Sequence, residues 1–429
     1  MREQELLLYR DFEEGQLLYD MAWLMDNYDD EYYNTEDCRG LLFQCMHELL
    51  ELSGNFGFHG NLWHCYLANL LVNSENSYSR SCEIRGGVEG SINDAALHDI
   101  VIFKEFYDYD FQSMMKKLNC PEFALIEHYE AGSQESKVYN RRICARICEL
   151  AEHFCQDRTA EEMKDTLTQF YGEYGVGKFG LHKSFRISHD EEGVHVDPIL
   201  NIAHVQLDDL VGYEIPKQKL IANTEAFVNG KKANNCLLFG DAGTGKSSSI
   251  KAIANAYYEK GLRIIEVYKH QFQDLNSVIA QIKNRNYKFI IYMDDLSFEE
   301  FEIEYKYLKA VIEGGLEKKP DNVLIYATSN RRHLIRENYS DREEIREDMH
   351  TGDTIQEKLS LVNRFGVTIY FGAPGKKEFQ QIVKALAQRA GISMPEEELL
   401  LEANKWELSH GGLSGRTAQQ FIDYLSGKA

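Results

Sequence analysis

Gly240-Asp241-Ala242-Gly243-Thr244-Gly245-Lys246-Ser247 is the stretch that decides the reading of this chain. It meets the pattern G-x-x-x-x-G-K-[ST] at every fixed position. It follows the apolar run Cys236–Phe239 and leads into Ser248–Lys260, a segment of helical pattern. That strand–loop–helix context is what a phosphate-binding loop requires. Glycines let backbone N–H groups converge on phosphate oxygens, and a helix N-terminus adds positive potential. Residues 240–248, through Ser248, are therefore the expected phosphate cradle. Lys246 would supply charge for β- and γ-phosphates, and Ser247 a hydroxyl ligand for Mg2+. A chance glycine-rich turn is the competing reading, and it leaves the flanking strand and helix unexplained.

Downstream, Phe289-Ile-Ile-Tyr-Met-Asp294-Asp295 is an apolar run ending in two carboxylates. An interior strand of a parallel sheet delivers its C-terminal residues to the ligand crevice. Asp294 would then hold Mg2+ through water, and Asp295 would polarise an attacking water. Glu299 and Glu300 compete for the base role, though acids opening a helix explain both more simply. The run Val323–Ala327 leads into Thr328-Ser329-Asn330. A polar group there would lie between the phosphates and the acid pair; Asn330 either orients water or forms a turn.

Around these motifs, strands alternate with helices. Cys236–Phe239, Leu262–Val267, Phe289–Met293, Val323–Ala327 and Val367–Phe371 have strand length. Ser248–Lys260, Leu275–Asn284 and Phe301–Glu313 lie between them with helix length. This predicts an α/β fold with a parallel five-stranded sheet covered on both faces. After Pro374 only helical segments follow: Lys376–Ala390, Pro395–Lys405 and Ser414–Leu425. Residues 205–373 are the expected core and 374–429 a helical lid. Residues 1–170 read as a mostly helical domain, with apolar residues recurring every three or four positions. Residues 171–204 read as a connection holding one short strand, Phe185–His189. Their glycine-rich start, Tyr171–Gly180, lacks the spacing of a phosphate loop.

Charge divides the chain. Its 429 residues carry a net charge of −22. Residues 1–200 hold 17 basic and 37 acidic side chains, and the remainder holds 30 and 32. A surface so acidic repels phosphate backbones, so the N-terminal half is expected to bind a protein partner rather than nucleic acid. No apolar run is long enough to cross a membrane. The N-terminal sequence lacks a signal-peptide pattern, and the nine cysteines include no C-x-x-C pair. These features predict reduced thiols and a cytoplasmic location. Cys144, Cys148 and Cys155 recur at helical spacing; they are read as small apolar residues on one helix face rather than metal ligands. Residues 336–358, dense in charge, are expected to form a solvated loop.

Taken together, the motifs resemble those of AAA+ ATPases. Residues 207–425 are similar to the bacterial domain of unknown function 815 family. Leu207-Asp-Asp-Leu-Val-Gly-Tyr213, the phosphate loop, Asp294–Glu300, Ile325–Leu334, Asn363-Arg-Phe-Gly366 and Gly415-Arg416 carry the likeness. The resemblance implies roles position by position. Val211 and Gly212 would pack the adenine, and Asn330 would be sensor 1. Arg364 would be an arginine finger acting in trans between subunits of a homo-oligomer. Arg416 would be sensor 2, touching the γ-phosphate; for each arginine a surface ion pair is the alternative. The implied cofactors are ATP and Mg2+. The implied activity is ATP hydrolysis coupled to a conformational change that acts on a protein partner. Asp-Asp, where many AAA+ proteins have Asp-Glu, also resembles the initiator and helicase-loader branch. That leaves open a slow-hydrolysing switch or loader near DNA.

Overall fold

The computed structural model describes residues 1–130, 136–191, 193–200, 202, 205–298, 304–313, 320–331 and 361–428. Contacts divide the chain into two compact units, Met1–His182 and Lys183–Ala429.

The first unit is helical among the described residues. Helices Gln16–Asn27, Thr35–Phe56, Leu62–Asn73, Ser77–Arg85, Ser91–Tyr107, Arg141–Gln156 and Ala160–Tyr174 share one hydrophobic core. Side chains of Asn34, Asn61, Asn76, Asn140 and Thr159 cap helix N-termini by accepting backbone N–H bonds. These are the residue types that satisfy the orphan donors of a first helical turn. Leu62–Asn73 runs through the centre, with ten of its twelve residues buried. The fully buried Asp99 accepts backbone N–H bonds from Leu7, Leu8 and Tyr9, tying the N-terminal segment to the helix Ser91–Tyr107. Such an anchor satisfies three backbone donors with one carboxylate.

The second unit is built on a sheet of seven strands. They are β1 (Ser184–Asp190), β2 (Gly193–Pro198), β3 (Cys236–Gly240), β4 (Leu262–Glu266), β5 (Lys288–Met293), β6 (Val323–Ser329) and β7 (Val367–Phe371). Their spatial order is β2-β1-β4-β5-β6-β3-β7. All neighbours pair parallel except the hairpin β1–β2. β6 is buried along its whole length, as a strand covered on both faces must be. The edge strand β7 alternates between exposed or half-exposed and buried residues.

Five of these strands occupy the apolar runs read from sequence, so the expected count of five is corrected to seven. The two extra strands come from the segment read as a connection with a single strand. Ser184, Phe185 and Arg186 extend the sheet by pairing with Ile264, Ile265 and Glu266, and β2 folds back on β1. Gly193-Val-His-Val-Asp-Pro198 is mostly half-exposed and has no apolar run, so its sequence carries no strand signal.

Helices Glu214–Val228 and Lys246–Tyr257 pack their apolar residues on one sheet face, with Leu220, Phe227, Ile250 and Ile253 against Leu238, Ile290 and Tyr326. After β7, helices Lys376–Arg389, Glu396–Ser409 and Gly415–Ser426 enclose a separate small core around Phe379, Val383, Leu399 and Phe421. Tyr213 packs against both cores, and Val211 against the second. Among the described residues no helix is long and apolar enough to cross a membrane.

Candidate functional site

The sheet topology brings three strand ends to one place. β6 lies between β3 and β5, and all three run parallel. Residues just past β6 therefore fall between the glycine loop after β3 and the acid pair after β5. This is the C-terminal edge at which parallel sheets bind ligands.

The loop is held at its base by β7. Gly240 has φ 135°, and a Cβ there would lie 2.1 Å from the Phe371 carbonyl oxygen, so only glycine fits. Asp241 donates its N–H to that same carbonyl at 3.0 Å, and its carboxylate accepts the Ala373 N–H at 2.7 Å. Gly243, at φ 73°, lets the loop touch the start of the last helix; an added Cβ would sit 3.0 Å from Arg416 Cβ and from Ser414 Oγ. The Arg416 N–H donates to the Gly243 carbonyl at 3.1 Å. Lys246 is buried, and its ammonium donates to the carbonyls of Gly240 at 2.9 Å and Asp241 at 2.6 Å. Burial pushes its pKa down, opposed by the charges of Asp241, Asp295 and Asp294, while Arg416 adds to the lowering.

Across the crevice the acids are tightly organised. Ser247 Oγ donates to Asp294 Oδ1 at 2.7 Å, and Thr328 Oγ1 donates to the same oxygen. The Asp295 N–H donates to Thr328 Oγ1 at 3.0 Å, and Asn330 Nδ2 donates to Asp295 Oδ1 at 2.8 Å. Asp295 adopts φ 48°, a left-handed conformation that few non-glycine residues hold without support. Burial pushes the Asp294 carboxyl up, but the Thr328 and Ser247 hydroxyls outweigh it and bring the net pKa below the usual value.

These groups line one cavity of about 990 Å3, within the range of small-molecule sites. Val211, Ala242, Gly243, Thr244, Gly245, Lys246, Ser247, Ser248, Asp294, Asp295, Asn330 and Arg416 all line it. Gly212, Gly240 and Asp241 support it without facing it. Gly212 and Tyr213 take left-handed conformations, φ 81° and 59°, that turn Tyr213 onto Phe371 with ring centroids 5.6 Å apart. Arg364 does not line the cavity. It precedes β7, whose far end meets the glycine loop, and five strand residues span about 16 Å. Glu299, Glu300 and the segment 336–358 lie outside the described residues.

Four contributing residues carry no role in the sequence reading above. Thr328 links Asp294 to the Asp295 backbone. Arg389 donates to the carbonyls of Asp208 and Asp209, clamping the segment 207–213 to the C-terminal helices. Gln419 and Gln420 present amides from the last helix. For Thr328 the signal was present in Thr328-Ser329-Asn330; for the others nothing in local sequence marked them.

A family model described as "protein of unknown function (DUF815)" matches residues 180–429. The chain belongs to this family. No curated protein matches it significantly. Among solved structures, two mutant forms of Thermotoga maritima RuvB align at 17% and 16% identity, each with TM-score 0.37. The first alignment covers 51% of this DUF815 chain and 64% of the RuvB chain, and the second 52% and 64%. The chain thus spans less than two thirds of these neighbours.

Proposed function

We propose that this DUF815 protein is an ATP-binding AAA+ ATPase that depends on Mg2+. One observation supports the reading above all. The buried Lys246 of the glycine loop, the Ser247–Asp294–Thr328 cluster and the Asp295–Asn330 pair face one cavity. An ammonium, a helix N-terminus and backbone N–H groups suit a triphosphate. The segment carrying Val211 and Tyr213, between the loop and the last helices, suits an adenine.

A hydroxyl–carboxylate pair is an oxygen donor set appropriate to Mg2+. The Tyr292 hydroxyl, buried beside Asp294, Ser247 and Thr328, adds one more oxygen to this polar cluster. Ser247 and Asp294 would hold the ion, which when bound supplies charge neutralisation at the phosphate oxygens. Asp295 would accept a proton from water, and Asn330 would position both. Arg416 would sense the γ-phosphate. The three C-terminal helices would act as a lid, since the last of them contacts the glycine loop through Gly243. Arg364, which does not line this chain's own cavity, would act on a neighbour's nucleotide in a homo-oligomer. The acidic residues 1–170 would deliver the movement to a protein partner.

A second reading is a slow nucleotide switch or loader near DNA. The hydrogen bond from Asn330 restrains the short Asp295 carboxylate, which favours slow turnover. Phosphate release with and without DNA separates the two. Turnover that Asp295→Asn abolishes, indifferent to DNA, supports the first reading; stimulation by DNA supports the second. Turnover unchanged in Asp295→Asn would contradict both.

A further inference from the structure

Cys144 and Cys148 fit the pattern of apolar residues on a helix face. They do lie on one face of the helix Arg141–Gln156, four residues apart, but they do not face only hydrocarbon. Their sulfurs and a ring nitrogen of His59 all lie within 4.8 Å of one another. A third sulfur stands beside Cys148: Cys65 Sγ, from the first turn of the helix Leu62–Asn73, is 3.7 Å from Cys148 Sγ, outside the set whose atoms all lie within 4.8 Å of one another. All three thiols are buried and none forms a disulfide.

The spacing is informative. Four ligands about 2.3 Å from a tetrahedral zinc have sulfur–sulfur edges of about 3.8 Å. The Cys65–Cys148 separation matches that edge. The wider spread to His59 is within reach of an imidazole on the loop between Gly57 and Gly60, both at φ 80°. That loop is already drawn to the sulfurs. Cys144 Sγ donates to the Gly57 carbonyl at 2.8 Å, and Cys65 Sγ donates to the His59 carbonyl at 3.4 Å. Cys155, the third member of the sequence pattern, stands outside the cluster with its sulfur 2.9 Å from His64 Nδ1.

We propose that Cys65, Cys144, Cys148 and His59 form a structural Zn2+ site in the N-terminal unit. Three soft thiolates and one imidazole are a closed zinc-type set, and they leave no open position for chemistry. The ion would join the 57–60 loop, the central helix and the helix Arg141–Gln156, releasing the ligating thiol protons as it binds. This site is independent of the nucleotide reading.

The test is metal analysis of the full chain purified without chelator. Wild type and Cys155→Ser should each hold one zinc per chain, and Cys148→Ser should hold none. Should Cys148→Ser fail to fold, cobalt added to the demetallated wild type gives a second readout. Thiolate charge-transfer absorption with intense visible bands is expected for tetrahedral ligation. Wild type without stoichiometric zinc and without cobalt bands would overturn the proposal. So would a Cys65–Cys148 disulfide in a non-reducing peptide map, or equal zinc in Cys148→Ser.

Discussion

Thr328 does the most at the scale of single residues. Its hydroxyl donates to Asp294 and accepts from the Asp295 backbone, so one side chain orients both acids. Thr328→Val keeps the shape and removes both bonds. Because groups that orient a metal ligand are worth about 10–100-fold, ATP turnover should fall by that factor. Nucleotide affinity without metal should stay nearly unchanged, and comparing phosphate release with binding in EDTA checks the split. His64 offers a pH test in the other unit. Its Nε2 lies 3.1 Å from the Tyr107 carbonyl, which requires an N–H there and leaves Nδ1 to accept from Cys155. Burial accordingly lowers its pKa to about 4. The unfolded chain then binds the extra proton first, so stability falls as pH drops from about 6.5 through 4. Urea midpoints of the N-terminal transition should decline across that window in wild type and less steeply in His64→Gln.

Among the elements, three backbone N–H groups of the segment Leu7–Tyr9 share a single carboxylate, Asp99. Asp99→Ala would leave three backbone donors without their acceptor, at a cost on the order of 3 kcal/mol. Amide exchange at residues 7–9 should accelerate strongly while the amides of Leu62–Asn73 remain protected; unchanged exchange would show that the anchor is dispensable. The elements also show what sequence can and cannot reveal. β3, β5 and β6 were legible because strands covered on both faces are continuously apolar, and their ends carry the polar groups. β2 was not legible, because an edge hairpin of half-exposed residues needs no apolar pattern. In the site, the glycine loop and the acid pair announce themselves locally. The roles of Thr328, Arg389 and Gln419 exist only because the topology sets β6 between β3 and β5 and folds the last helix onto the loop.

At the scale of the whole molecule, the charge contrast gains a structural boundary. The chain divides at His182–Lys183, so most of the excess acid of residues 1–200 falls in the helical unit. An acidic unit joined to a nearly neutral one suits partner recognition by the first and nucleotide chemistry by the second. Arg364 does not line its own cavity. If it acts between subunits, turnover per chain should rise with protein concentration in wild type and be flat and low in Arg364→Ala, with nucleotide affinity preserved in both. A dilution series of phosphate release reads this directly. The function proposed for the second unit depends on the glycine loop binding a nucleoside triphosphate through Lys246. Calorimetric titration of Mg-ATP into the full chain tests it most directly: wild type should bind one equivalent per chain and Lys246→Ala should show no binding. Equal affinity in the two proteins, or no binding by wild type, would contradict the account.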